Sequence, residues 1–462
     1  MNTKTDSVRS TPTRRRWLFW GVLLPIILLF AAITSQGIRQ WQAANRFEAE
    51  IAQIRASNLP IDNASMARWF REMTRTEGAS AWGEVLLALE TAIAPIDNPE
   101  RMPFVGTGDP IAVPDPDRQW PEEKQVGEYL RWIGPTIEKI HQAVELPKPV
   151  WLPIEFRGFQ TLLAELQSSR SVTRHLQLEV EHALYQKESE RALRGITSLR
   201  GVADAFDWQI CLVGDLVHRT HAIAYLATIR RSMAYGLWGE AEIDRIDSQL
   251  APRDPFQITE RWRRVFIGER AMLLSSLNDA AMTDYNADEF GAAAMKVAGL
   301  PTVKVGLLEK YFLMLRIADG PLAGLPDRAN ELELWLTQKG SAFDLTTRWT
   351  SMWLPAIRAY SQSIIREEDD RRVTRTSLAV KKYQIREGNW PQDLAALDGI
   401  GLPASERVTV GGKPLGYQVD GDAAWVWGPD TSSRAAWPEV LPERPDPADE
   451  STRDHSPWAM VR

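Results

Sequence analysis

Apolar positions fall into three patterns along this chain. The first is a solid run, Trp17–Ile33, inside a window from Trp17 to Ile38 that carries no charge between Arg16 and Arg39. About 20 apolar residues at ~1.5 Å rise match a hydrocarbon core of ~30 Å, so the run predicts a transmembrane helix over 17–36. Ile38, Trp41, Phe47, Ile51 and Ile54 then recur at helical spacing and predict a stalk continuing that helix as far as Leu59-Pro60. Asp62, Asn63 or Ser65 can cap the next helix, with Met66, Trp69 and Phe70, and a further one holds Trp82, Val85, Leu86 and Leu89.

The second pattern is a stripe every three to four residues over 123–370. Val126, Tyr129, Ile133, Ile137 and Ile140 form one such helix; Val172, Leu176, Val180 and Leu184 form the next; then come Ile196, Leu199 and Val202, and Leu212, Val213, Leu216 and Val217. Joints as short as Gln186-Lys187-Glu188 predict antiparallel neighbours, and hence a stack of helical hairpins, solenoid-like in style. No 34-residue period with a repeat signature accompanies it. Later stripes run through Trp262, Phe266, Leu273 and Leu277, through Leu307, Leu308, Tyr311 and Leu315, and through Trp349, Trp353, Ile357 and Ile364, the last expected to kink at Pro355. The many tryptophans fall among apolar positions, where core packing is their expected role.

The third pattern is alternation. Val408-Thr409-Val410, Leu415–Val419 and Ala423–Trp427, joined by Gly411-Gly412 and Asp420-Gly421, predict a three-stranded meander. A helix with Val373, Val380 and Tyr383, ending at Gly388, precedes it. Two stretches have no pattern. Pro95 to Pro121 holds seven prolines and reads as an extended loop, pinned by Phe104 and Trp120 or, alternatively, serving as a lid. Beyond Pro438 the chain is rich in Pro, Asp, Glu and Arg and reads as a disordered tail.

The resulting fold class is mainly α: an N-terminal transmembrane helix, a helical-hairpin body and a small α+β C-terminal module. The domain boundaries are a basic cytoplasmic segment at 1–16, the transmembrane helix at 17–36, stalk and first helices at 37–94, a Pro-rich loop at 95–122, the helical body at 123–370, the α+β module at 371–430 and a tail at 431–462.

Charge places the chain. Lys4, Arg9 and Arg14-Arg15-Arg16 against Asp6 give residues 1–16 a net +4, so the whole-chain value of −7 leaves −11 for the remainder. Basic flanks stay in the cytoplasm. The expectation is a single-pass signal-anchor in the cytoplasmic (inner) membrane, N-terminus inside, with the bulk extracytoplasmic (periplasmic). The lipid bilayer is its first partner, through Trp17–Ile33. A cleaved signal peptide is the rival reading, although Ala31-Ala32-Ile33-Thr34-Ser35 offers no Ala-x-Ala ending. An acidic body lacks the basic face that nucleic acid requires, so no nucleic-acid partner is expected. One cysteine, Cys211, excludes an internal disulfide framework and reads as a small buried hydrophobe.

The order Ala379, Tyr383, Gly388-Asn389-Trp390-Pro391, Leu394 and Leu397, then Gly412-Lys413-Pro414-Leu415-Gly416-Tyr417, then Trp427-Gly428-Pro429-Asp430, resembles the globular part of the major pseudopilins of type II secretion. The resemblance covers 371–430 only. The N-terminus lacks a prepilin cleavage signature. It implies a helix followed by a small sheet and a role in a secretion or pilus-type assembly. It also implies a calcium ion near the terminal loop, for which Asp420, Asp422 and Asp430 would be the oxygen ligands; without the ion those residues are turn chemistry. The whole layout is also similar to bacterial signal-anchor proteins with an alanine-rich helical body, a resemblance that brings no activity with it.

Catalytic signatures are sparse. The chain has no Gly-x-Ser-x-Gly elbow, phosphate loop, dinucleotide fingerprint or His-Glu-x-x-His. Glu138-x-x-His141 and Glu179-x-x-His182 each set a carboxylate and an imidazole on one helix face, as di-iron bundles do, and are the candidate metal ligands. No catalytic residue and no cofactor is otherwise expected. The favoured function is a membrane-anchored scaffold with a protein partner; the alternatives are the secretion-type component and a metal-dependent enzyme.

Overall fold

The computed structural model describes residues 13–92, 99–106, 113–116, 118–278, 301–339, 354–428 and 458–462. The chain is mainly helical, with one long apolar helix at its N-terminus and one small three-stranded sheet. Two compact units are distinguished, 1–58 with 277–309, and 59–276 with 310–462.

In the first unit, α1 (Thr13–Ala56) is a single uninterrupted helix. The expected anchor and the expected stalk thus fall on one helix. It is long and apolar enough to cross a membrane, over Leu23–Ala56. Leu24, Ile26 through Phe30 and Ile33 are exposed, Phe30 at 72 %. Further along the same helix Phe47, Ile51 and Ile54 are buried, with Lys304 over the Phe47 ring. Gln40 and Thr302 exchange two hydrogen bonds, and Arg46 pairs with Glu309 at 2.8 Å.

The second unit begins with α2 (Asn63–Met73), which starts as its sequence predicts: Asp62 Oδ1 accepts from Ser65 N–H while Ser65 Oγ accepts from Asp62 N–H. Next come α3 (Ala79–Glu90), α4 (Glu123–Ala143), α5 (Ala164–Tyr185), α6 (Ser189–Ala205), α7 (Leu212–Met233), α8 (Glu240–Ser248) and α9 (Pro255–Asn278). Helices α5, α6 and α7 pack against one another, and their facing residues Leu176, Val180, Ile196, Leu199, Val202 and Ile229 are fully buried. Aromatic side chains fill the space beside them. Trp82 stands edge-on to Phe206 at 4.9 Å and Phe70 to Trp208 at 5.2 Å, and Trp208 Nε1 donates to Val150 O at 2.7 Å. Each such ring contributes about 2–3 kcal/mol through burial. The Pro-rich loop is pinned where described: Trp120 is buried, its N–H donates to Tyr185 Oη, and Arg231 Nη2 donates to Pro114 O.

Beyond α10 (Pro301–Arg316) and α11 (Leu325–Lys339), α12 spans Leu354–Glu387. Pro355 lies in its first turn, where no intrahelical N–H bond is required, so the expected kink is absent there; Trp349 and Trp353 lie outside the described residues. The helix runs straight through position 370, expected as a domain boundary, and ends at Gly388 in the left-handed conformation (φ 74°).

The sheet differs from the expected meander. Strand β1 (Gly416–Asp420) pairs antiparallel with β2 (Ala423–Trp427), Gly416 opposite Trp427. Strand β3 (Trp458–Val461), inside the expected disordered tail, pairs with the other edge of β2, Ala424 opposite Val461. Residues 408–410 contribute a single bridge, Val408 to Pro414. The reason is a competing contact: Val410 N–H, which a strand would have used, donates to Asp369 on α12 at 2.7 Å, and Lys413 N–H donates to Thr409 Oγ1.

Candidate functional site

The two Glu-x-x-His pairs come together only in part. His141 on α4 meets Glu179 on α5, Nε2 to Oε2 3.1 Å, and its Nδ1 lies 2.7 Å from Ser198 Oγ on α6. All three are buried. The other two candidates are engaged elsewhere. Glu138 takes both Nη groups of Arg194, at 2.7 and 2.8 Å, and this guanidinium holds its carboxyl below the usual range. His182 faces Glu123, with Nε2 to Oε1 3.1 Å, and accepts at Nδ1 from Arg191 at 2.7 Å. Arginine only donates, so His182 carries its proton on Nε2, and burial keeps it neutral by lowering its pKa. Among the described residues no three His, Cys, Asp or Glu gather as a metal would require. Asp420 closes β1 and Asp422 follows Gly421 in the turn; Asp430 lies outside the described residues.

The remaining described histidines are likewise turned inward. His175 donates from Nδ1 to Ser171 O and accepts at Nε2 from Tyr129 Oη, both at 2.7 Å. His218 donates from Nδ1 to Ala203 O, and His221 lies 2.8 Å from both Ser169 Oγ and Thr173 Oγ1. Burial lowers the pKa of each, that of His221 to about 3. Cys211 caps α7, its Sγ accepting from Gly214 N–H, and burial pushes the thiol up to about 12. It is a packed, protonated group, as expected for a buried hydrophobe.

The largest polar assembly went unforeseen. Residues 366–372 read Arg-Glu-Glu-Asp-Asp-Arg-Arg, and Glu367 through Arg371 are all buried. Burying unpaired charge is prohibitive, so every one of these side chains needs a partner. Arg371 spends all five N–H groups: Nε and Nη2 on Glu368 (2.9 and 2.7 Å), Nη1 and Nη2 on Glu406 (2.9 Å each), and Nη1 on Leu250 O (2.9 Å). Glu367 receives Arg219 from α7 and Arg253. Asp370 faces Arg230 at 3.4 Å. Asp369 has only Val410 N–H on Oδ1, and its Oδ2 is buried without a partner; burial pushes this carboxyl up to about 6.

The assembly extends to α7 and α9. Asp215 accepts from Arg219 (2.7 Å), Arg261 and Tyr360 Oη (2.8 Å), and Arg261 also pairs with Asp207 at 2.6 Å. Burial alone would raise the Asp215 carboxyl, but Arg219 and Arg261 outweigh it and hold it down at about 2. The same contest, with Arg253 and Arg219 prevailing, lowers Glu367. Asp207, Asp215 and Glu367 thus balance Arg219, Arg253 and Arg261 in sign, with a neutral His218 beside them. Asp215 and Glu367 are held as carboxylates by these arginines, and the cluster forms an electrostatic lock between α7, α9 and α12.

Comparison with protein-family models, curated proteins and solved structures gives no match. The lock was hidden from sequence reasoning because a run of seven charges ordinarily forms a solvated face. One signal could have found it: Glu368 stands three and four residues before Arg371 and Arg372, and Ile364, Ile365 and Val373 spread apolar positions over more than one face of the helix around the charged run.

Proposed function

We propose that this protein is a single-pass, membrane-tethered helical protein that acts by binding another protein. The observation that carries this reading is α1: Leu24, Ile26 through Phe30 and Ile33 stand exposed on a helix long enough to span a bilayer. With arginines at 14–16 ahead of it, the N-terminus faces the cytoplasm and the helical body lies outside the cytoplasmic membrane. The histidines and the cysteine that chemistry would require are bonded inward among the described residues, which supports binding over catalysis. Helices α5 and α6, joined by 186–188, are the repeating style of a hairpin stack whose surface receives the partner.

Deleting residues 1–39 tests the tether. The truncated chain is expected in the soluble fraction and the full chain in membranes, with a C-terminal periplasm-active reporter giving signal. A full-length chain that fractionates as soluble with its first residues intact would refute the reading. The left-handed Gly388, the short 3-10 helix Leu394–Ile400 capped by Asp393, and Tyr417 Oη donating to Pro391 O at 2.8 Å support the secretion-type assembly as a second reading. Recovery of secretion-machine proteins with the full chain from detergent-solubilised membranes would select it.

A further inference from the structure

Two hydrogen bonds fix the start of α10 beside α1. Gln40 Nε2 donates to Thr302 Oγ1 at 3.0 Å, and Thr302 N–H donates back to Gln40 Oε1 at 3.3 Å. Further along both helices Arg46 pairs with Glu309 at 2.8 Å. Residue numbers rise together from the first contact to the second. Residues 301–309 therefore run alongside α1 in its own direction, away from the uncharged run, and the first turn of α10 is the end nearer that run.

The place of Gln40 along α1 sets the depth of this contact. With the uncharged run Trp17–Ile38 as the membrane span, Gln40 lies about 19 Å from its midpoint. The hydrocarbon core ends about 15 Å from the bilayer midplane, and the headgroups end about 20–22 Å from it. Gln40 thus falls in the headgroup layer and brings Thr302 with it. Arg46, about 28 Å out, lies beyond that layer with its partner Glu309. Other residues at this level agree. Trp41 is 66 % exposed, and indole rings favour the membrane interface. Arg39 is exposed and has no carboxylate partner among the described residues. The chain carries no acid from Trp17 to Phe47, and α10 carries none before Glu309, so no like charge opposes lipid phosphates here. Pro301 and Thr302 are only half-buried. We propose that the first turn of α10, residues 301–304, rests in the phospholipid headgroup layer beside Arg39 and Trp41, a second membrane contact outside the span. The inference rests on the membrane-tether reading.

The test uses the full chain carrying Cys211→Ser, reconstituted into vesicles of phosphatidylcholine and phosphatidylglycerol. A fluorescent label is placed on one new cysteine at a time: Ile33→Cys in the span, Pro301→Cys in the first turn of α10, and Glu309→Cys further out. The quenchers are acyl-chain spin-labelled lipid, headgroup spin-labelled lipid and aqueous iodide. Acyl-chain lipid should quench best at position 33, and iodide best at position 309. Headgroup lipid should quench position 301 at least about twofold more than position 309, which lies about 12 Å further along the helix. If Pro301→Cys fails to fold, Lys304→Cys in the same turn carries the measurement. Acyl-chain quenching at position 33 with iodide reaching 301 as freely as 309 overturns the headgroup contact and leaves the tether standing. Free iodide quenching at position 33 removes the tether, and this contact with it.

Discussion

Replacing Asp369 by asparagine isolates the least satisfied charge of α12. The wild-type carboxyl lies between Glu368 and Asp370, with Arg372 as the nearest opposing cation and Val410 N–H as its one hydrogen-bond donor. Burial leads the shift, raising it from 3.8 to about 6. About two units at 1.36 kcal/mol each is roughly 3 kcal/mol. Below about pH 4 the group is protonated in folded and unfolded chains alike and contributes nothing to the pH dependence. Between about pH 4 and pH 6 the unfolded chain releases its proton first, so stability falls as pH rises. Above about pH 6 the folded chain carries a buried carboxylate with one oxygen unbonded, and the full penalty applies. Asparagine keeps an oxygen for Val410 N–H and never ionises. Urea unfolding of the full chain in detergent, followed by tryptophan fluorescence, should show Asp369→Asn gaining on wild type by about 2 kcal/mol between pH 4.5 and pH 7.5, since part of the penalty is already present at the lower pH. Groups common to both chains cancel in that difference. A difference that stays constant with pH, or grows toward acid, would refute the reasoning.

Other perturbations follow from the same contacts. Asp215→Asn leaves Arg219 and Arg261 facing an uncharged amide, and a loss of about 3–5 kcal/mol is expected in the same unfolding assay; a loss under 1 kcal/mol would mean the lock is decorative. Gly268→Ala should destabilise although alanine is the better helix former by about 1 kcal/mol, because a Cβ there falls well inside contact with Ile210 O; a stabilised variant would show that α9 and the 208–212 segment are not so close. Elemental analysis of the purified full chain is expected to find no stoichiometric iron or zinc, since Glu138 and His182 are paired with Arg194 and Glu123; one metal or more per chain, lost in His141→Ala, would revive the metal-dependent reading.

Much of the architecture could be read without coordinates, because it depends on neighbours in sequence. An uncharged run at Trp17–Ile38, a cap among Asp62, Asn63 and Ser65, and stripes such as Leu176, Val180 and Leu184 each express local backbone preference, which survives in one dimension. Long-range choices do not. The third strand comes from Trp458–Val461 rather than 408–410 because a carboxylate on α12 claims Val410 N–H. Glu138 turned out to belong to Arg194 and His141 to Glu179, pairings that depend on which helix lies beside which. The charged run at 366–372 shows the limit most clearly. Whether seven ionised side chains face water or one another depends on Arg219, Arg253, Glu406 and Leu250 O, brought in from elsewhere in the chain. Sequence determined that this chain is helical and carries a span of membrane length; only the tertiary structure decided where its charges find their partners, because electrostatic pairing is set by distance in space and helical periodicity by distance along the chain.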